Sequence, residues 1–199
     1  MSATRQALLG AAVVVFDRMG YRRATVDEVC TIAGVTKGAL YGCFASKRDL
    51  ALAVLDHEER ALMTARAALH GRHRAPLQVL VDLVHVHARQ QVTAKLLFQM
   101  PGYQTRARSQ TRRWTRAVHD LLQEAQYRGE LRAAVDLNRA AGAIVTALVG
   151  VERMGLALTT EDEPAVGVTR ALRTWLTALA RPEALLRLRW GPPRDIGRT

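Results

Sequence analysis

The sequence predicts an all-α protein. Three observations carry that expectation. No run alternates apolar and polar residues with period two. Apolar residues recur instead at helical three- and four-residue spacing. Glycine, proline and N-capping residues punctuate the chain at helix-length intervals.

The first helix covers about residues 3–19, where Leu8, Ala12, Val15, Phe16 and Met19 share one face. Gly20 is its expected C′ residue, with Tyr21 ready to pack back on the last turn. Thr25 and Glu28 form a T-x-x-E capping box that starts a second helix, "VDEVCTIA". Gly34 closes it. Thr36 is a suitable N-cap for a third helix, "KGALYGCF", and Ser46 for a fourth over residues 47–69. Two short helices joined by a glycine turn and braced by another make a helix-turn-helix. After the loop "HGRHRAP" (70–76), the fifth helix starts at Pro76, a good first-turn residue. Shorter and longer helices follow at about 94–100 and 109–128, ended by Pro101-Gly102 and Gly129. Asp136 caps a helix over 137–158, and two more lie at 164–180 and 182–189. The tail "WGPPRDIGRT" (190–199) reads as a frayed terminus. Residues 1–48 are expected to form the helix-turn-helix domain and residues 49–199 a helical ligand-binding and dimerisation bundle.

A net charge of +11 suits a polyanionic partner. Arginine outnumbers lysine 26 to 3, so base composition also explains the excess, but two of the three lysines, Lys37 and Lys47, fall in or beside the third helix. Cys30 and Cys43 lack the companions that a disulfide framework or zinc site needs, which fits a reducing cytoplasm. The N-terminal "ALLGAAVVVF" imitates an export signal but lacks a small-residue cleavage site, and Asp17 and Arg18 follow at once. The run "AAGAIVTALVGV" (140–151) is too short to span a bilayer. No membrane association is expected.

Gly38 and Gly42 lie inside the third helix, where each costs about 1 kcal/mol relative to alanine. Two readings remain open. Glycine lets a recognition helix approach the floor of a major groove about 12 Å wide, or it permits tight helix–helix packing. Thr36 and Lys37 at the helix N-terminus suit a phosphate, and Tyr41 follows one turn after Gly38.

The stretch "GYRRATVDEVCTIAGVTKGALYGCFASKRDL" (20–50) resembles the signature of the TetR family of transcriptional regulators. The resemblance implies double-stranded operator DNA contacted by Thr25, Thr36, Lys37, Gly38, Tyr41 and Lys47. Where family members often carry ring-bearing residues, this chain has Gly42 and Cys43. The segments "RRWTRAVHDLLQEAQYRGEL", "ALVGVERM" and "LLRLRW" are similar to the butyrolactone-receptor branch, whose tryptophan on this helix packs on a lactone or furan signal. That implies a role for Trp114. The branch's Thr-Gly-Val-Gln here reads Val149 to Glu152, so its hydroxyl and amide are replaced.

In the C-terminal part, Gln78, Asp82, His85 and Arg89 make a polar stripe on the fifth helix, and His87 and Gln91 interrupt its apolar surface. Trp114, Thr146, His87, Gln91 and Val149 are the candidate ligand contacts, because a few polar groups orient an apolar ligand in a pocket. The polar ones and Trp114 also have an ordinary core reading with satisfied neighbours. The arginine-rich "RARSQTRRWTR" (106–116) reads as a solvated face. Val168, Leu172, Trp175, Leu176 and Leu179 are expected to build a four-helix dimer interface with the helix at 137–158. No metal or cofactor is expected, since neither histidine pair (His70 with His73, His85 with His87) is spaced for one. An acyl-binding helical enzyme finds no support, because G-x-S-x-G, P-loop, G-x-G-x-x-G and H-E-x-x-H patterns are all missing. The expectation is a homodimeric repressor released by a small apolar effector (butyrolactone, furan or antibiotic-like), or a receptor-like regulator that answers no butyrolactone.

Overall fold

The computed structural model describes residues 2–72, 75–89, 91–158 and 164–193, leaving aside the side chains of residues 91, 154–158, 164 and 165. His73 and residues 194–199 of the tail lie outside the described residues. The elements are α1 (Ala3–Arg23), α2 (Val26–Ala33), α3 (Lys37–Cys43), α4 (Lys47–Arg72), α5 (Pro76–Arg89), α6 (Gln91–Gln99), α7 (Gln104–Tyr127), α8 (Leu137–Leu158), α9 (Pro164–Leu179) and α10 (Pro182–Leu185). Among the described residues there is no β-strand, only an isolated antiparallel bridge between Leu131 and Ala180. None of the described helices is long and apolar enough to cross a membrane.

The chain divides into two compact units, Met1–Ala61 with Gln90–Arg106, and Leu62–Arg89 with Ala107–Thr199. In the first, Leu8, Leu9, Ala12, Val15 and Phe16 of α1 are buried with Val29, Leu40, Phe44, Leu50 and Leu96. The α1 axis breaks at Gly20, whose φ of 71° and ψ of 171° interrupt the helix before Tyr21–Arg23 resume it. Tyr21 stacks on Phe16 at 6.1 Å. Helix α6 packs along α1, and two of its side chains fasten α1's end. Lys95 Nζ donates to both the carbonyl and the carboxylate of Asp17, and Gln99 Oε1 accepts from Arg22 N.

The local stops and starts follow from capping chemistry. The Thr25–Glu28 box is complete, with Glu28 N donating to Thr25 Oγ1 at 3.2 Å and Thr25 N to Glu28 Oε2 at 2.9 Å. These bonds hold the Glu28 carboxyl below its ordinary pKa. A group depressed in this way stabilises the fold above its unfolded pKa, and that support is lost as pH falls through the folded value. Thr25→Ala leaves the α2 N-terminus uncapped, and a loss of about 1 kcal/mol in denaturant unfolding at neutral pH is expected. Gly34 takes the left-handed C-cap conformation, φ 66° and ψ 34°. Asp49 N donates to Ser46 Oγ, and Ala45 N to Asp49 Oδ2, which starts α4.

The second unit is built on α5. Three of the four residues of its polar stripe are buried, and Arg89 at the end of the stripe is exposed. Gln78, Asp82 and His85 are 5%, 1% and 1% exposed. Gln78 Nε2 donates to Asp82 Oδ1 at 2.7 Å, and Gln78 Oε1 accepts from Arg189 N at 2.8 Å. His85 Nδ1 donates to the Val81 carbonyl, and its Nε2 meets Thr169 Oγ1, each at 2.8 Å. Glu130 Oε2 accepts from Leu77 N at the start of α5.

Two expectations are corrected. The tail does not fray at Trp190. Arg189 is bonded to Gln78, and Trp190 packs on the core with the Arg173 guanidinium 5.5 Å above its ring. The apolar face of α9 also serves the chain itself. Val168, Leu172 and Leu176 are buried, and only Trp175 and Leu179 stay partly open. Gly167 lets α9 lie close to α8, because a methyl there would come within 2.9 Å of Val151 Cγ1.

Candidate nucleic-acid interface and effector site

Helix α3 is only seven residues long, and one of them, Leu40, is buried as its anchor. Thr36 caps it through Oγ1, which accepts from Ala39 N at 3.2 Å. Thr36, Lys37, Gly38, Tyr41 and Gly42 are all exposed. Tyr41 is 54% exposed. A methyl at Gly38 would meet only Thr36 Oγ1, at 3.8 Å, and one at Gly42 would meet nothing within 4 Å. Helix–helix packing therefore does not explain either glycine.

The cations are less free than their sequence positions suggest. Lys37 Nζ lies 2.6 Å from Asp27 Oδ1, and the bond raises the lysine's pKa. Both side chains are more than 60% exposed, so the pair contributes little to stability. Lys47 is half-buried with Nζ 4.6 Å from the Tyr21 ring centroid. Partial burial lowers its pKa, with Glu28 opposing the shift. Thr25 is exposed, but its hydroxyl donates to Glu28 Oε2 at 2.8 Å. Cys30 is a buried thiol and Cys43 a half-buried one.

In the second unit the structure brings two of the five candidate ligand contacts together. The His87 and Trp114 rings lie 4.9 Å apart at 57°. Trp114 is buried, and Val149 is partly buried against the same core. Thr146, expected to face a pocket, instead lies on the exposed side of α8, with Ile144, Val145 and Leu148 turned inward. The Gln91 side chain lies outside the described residues. Sequence reasoning misses two residues, Asp27, which holds Lys37, and Gln110, one turn before Trp114, and it names Glu152 only as the replacement of an amide, not for its Oε1 3.2 Å from His87 Nε2. Glu152 had a readable signal, an acid closing an apolar run, whereas nothing local marks Gln110.

The arginine-rich start of α7 is mostly a solvated face, with Arg108, Arg112, Arg113 and Arg116 exposed. Arg106 instead pairs with Asp56 and Glu59 on α4.

Comparison with known proteins agrees with this geometry. Residues 8–54 match the family described as bacterial regulatory proteins, tetR family. The A-factor receptor protein of Streptomyces griseus is 29% identical over 94% of this chain and 67% of its own length. The crystal structure of full-length TylP, a TetR regulator from Streptomyces fradiae, is 30% identical and covers 96% of this chain and 94% of its own, with a TM-score of 0.74. That of a gamma-butyrolactone receptor (ArpA-like protein) is 25% identical over 91% of this chain and 90% of its own, with a TM-score of 0.70. The chain therefore belongs to the TetR family of transcriptional regulators, which are not enzymes but bind DNA and small-molecule effectors, usually as dimers, and within that family it resembles the gamma-butyrolactone receptors.

Proposed function

We propose that this chain is a cytoplasmic, ligand-released repressor that binds operator DNA as a homodimer. Each protomer lays α3 in a major groove, and the two copies read half-sites about 34–36 Å apart. The observation that supports this reading most is the exposed, glycine-thinned face of α3. Thr36, Lys37 and Tyr41 stand around a backbone that no side chain at positions 38 or 42 holds away from a duplex. Thr25 and Lys47 flank that face as further backbone contacts, and the phosphate contacts give register while α3 reads bases. Residues 1–48 carry this role, and residues 49–199 carry the effector and dimer contacts.

The effector is a small apolar molecule seated against Trp114, with His87 and Val149 as further contacts. Release requires the effector to prefer a dimer unable to straddle both half-sites. Moving that equilibrium from 1:99 to 99:1 takes about a 10⁴-fold preference. The receptor relatives favour a lactone-like or furan-like signal. A second reading, a regulator that answers no butyrolactone, is favoured by one observation. Glu152, which replaces the branch's amide, is engaged by His87.

Gel shifts test the DNA reading. A palindromic site upstream of the chain's own gene should bind far more tightly than random duplex, with affinity falling steeply as salt rises. Equal binding to both would overturn the reading. Lys37→Ala should weaken binding about tenfold and reduce the salt slope by about one. Its melting temperature should hardly move, because the pair with Asp27 is exposed.

A further inference from the structure

Among the described residues of the second unit, His87 Nδ1, Trp114 Nε1 and Gln110 Oε1 are buried without a protein partner. They come from two helices. His87 is on α5, and Trp114 and Gln110 are one turn apart on α7. Trp114 is more than nine-tenths buried. A buried donor or acceptor left unpaired costs about 1–3 kcal/mol. Two such nitrogens on rings 4.9 Å apart are not core packing that evolved for stability alone.

The chemistry of the pair limits what completes it. Glu152 Oε1 lies 3.2 Å from His87 Nε2, and a carboxylate facing that nitrogen favours the tautomer with its proton on Nε2. In the neutral ring Nδ1 is then an acceptor, and in the imidazolium it is a donor. Trp114 Nε1–H is only a donor. A carbonyl oxygen satisfies Trp114 but meets Nδ1 only when the ring is charged. A hydroxyl serves both states, because it donates one hydrogen and accepts through two lone pairs. With a neutral ring it accepts from Trp114 and donates to Nδ1. With a charged ring it accepts from both.

We infer that His87, oriented by Glu152, and Trp114 together form a hydroxyl-binding site, so the effector is an apolar molecule bearing an alcohol or phenol group. The inference rests on the effector-site reading and adds the functional group that the ligand must carry. Glu152 acts through His87 as a positioning residue, and Gln110 Oε1 offers a further acceptor one turn along α7.

The test uses the full chain with ¹⁵N-labelled tryptophan side chains and two probes of the same shape, benzyl alcohol and toluene. Trp114→Phe identifies the Trp114 indole resonance among the chain's three tryptophans. Benzyl alcohol should shift that N–H downfield and bind about tenfold more tightly than toluene. Tenfold is about 1.4 kcal/mol, the scale of a hydrogen bond. In His87→Phe the tenfold preference should fall to about one while toluene still binds. Equal affinities for the two probes in the unaltered chain, with equal effects at Trp114, would overturn the hydroxyl site and leave an apolar effector site standing. No effect of either probe on Trp114 would overturn both. A parallel gel shift reports on DNA binding independently of either result.

Discussion

Gly38→Leu is expected to bind operator DNA at least a hundredfold more weakly while melting at a higher temperature than the unaltered chain. The two effects have different origins. Leucine is about 1 kcal/mol better than glycine inside a helix. The space around Gly38 is open, with Thr36 Oγ1 at 3.8 Å the nearest obstacle, so the free protein gains helix stability without strain. Against a duplex the same four carbons stand between α3 and the groove floor. Lys37 and Tyr41 are then held away from their contacts, and a hundredfold loss corresponds to about 2.7 kcal/mol. Thermal melting and gel shifts at one fixed salt concentration check both halves. A leucine variant that binds normally would show that close approach to the groove does not require this glycine. A variant that melts lower would show that Gly38 serves packing after all.

Gly20→Ala is expected to destabilise the first unit by about 2–3 kcal/mol. Its φ of 71° with ψ of 171° belongs to a region that is essentially glycine-only, and occupying it with a Cβ costs about 1–3 kcal/mol. The added methyl also runs into the side-chain amide of Gln99 on α6. A double-mutant cycle separates the two contributions. Gly20→Ala with Gln99→Ala should recover the collision, about 1 kcal/mol, and leave the backbone strain. Denaturant unfolding followed by far-ultraviolet circular dichroism measures both. Unchanged stability in Gly20→Ala would mean that the chain reroutes around this break.

The parts legible in the sequence are those decided within four or five residues. The Thr25–Glu28 box, the left-handed Gly34, the Thr36 and Ser46 caps and the Pro76 start each depend on local backbone chemistry, and the structure has all of them. Long-range partners were not legible. Gln78, Asp82 and His85 read as one polar stripe, but the partners that let Gln78 and His85 be buried, Arg189 and Thr169, come from 111 and 84 residues away. The α8 run around Thr146 is apolar on nearly every side, so periodicity does not say which side turns inward. Amphipathicity marks α9 as packed but does not say whether the partner is α5 and α8 of the same chain or a second copy. Of the candidate site, the exposed α3 residues were readable from type and spacing. The His87–Glu152 contact joins α5 to α8, and no motif spans that distance.

The first unit is sewn from two separate stretches of chain, because α6 returns to fasten α1 through Lys95 and Gln99. Anyone grafting this reading head onto a foreign sensor would meet that seam. A junction placed after residue 61 strands the returning helix with the wrong parent and strips a buried side from α1. A chimera has to carry both stretches, or supply a substitute for Lys95 and Gln99, before its head can be trusted to stand alone.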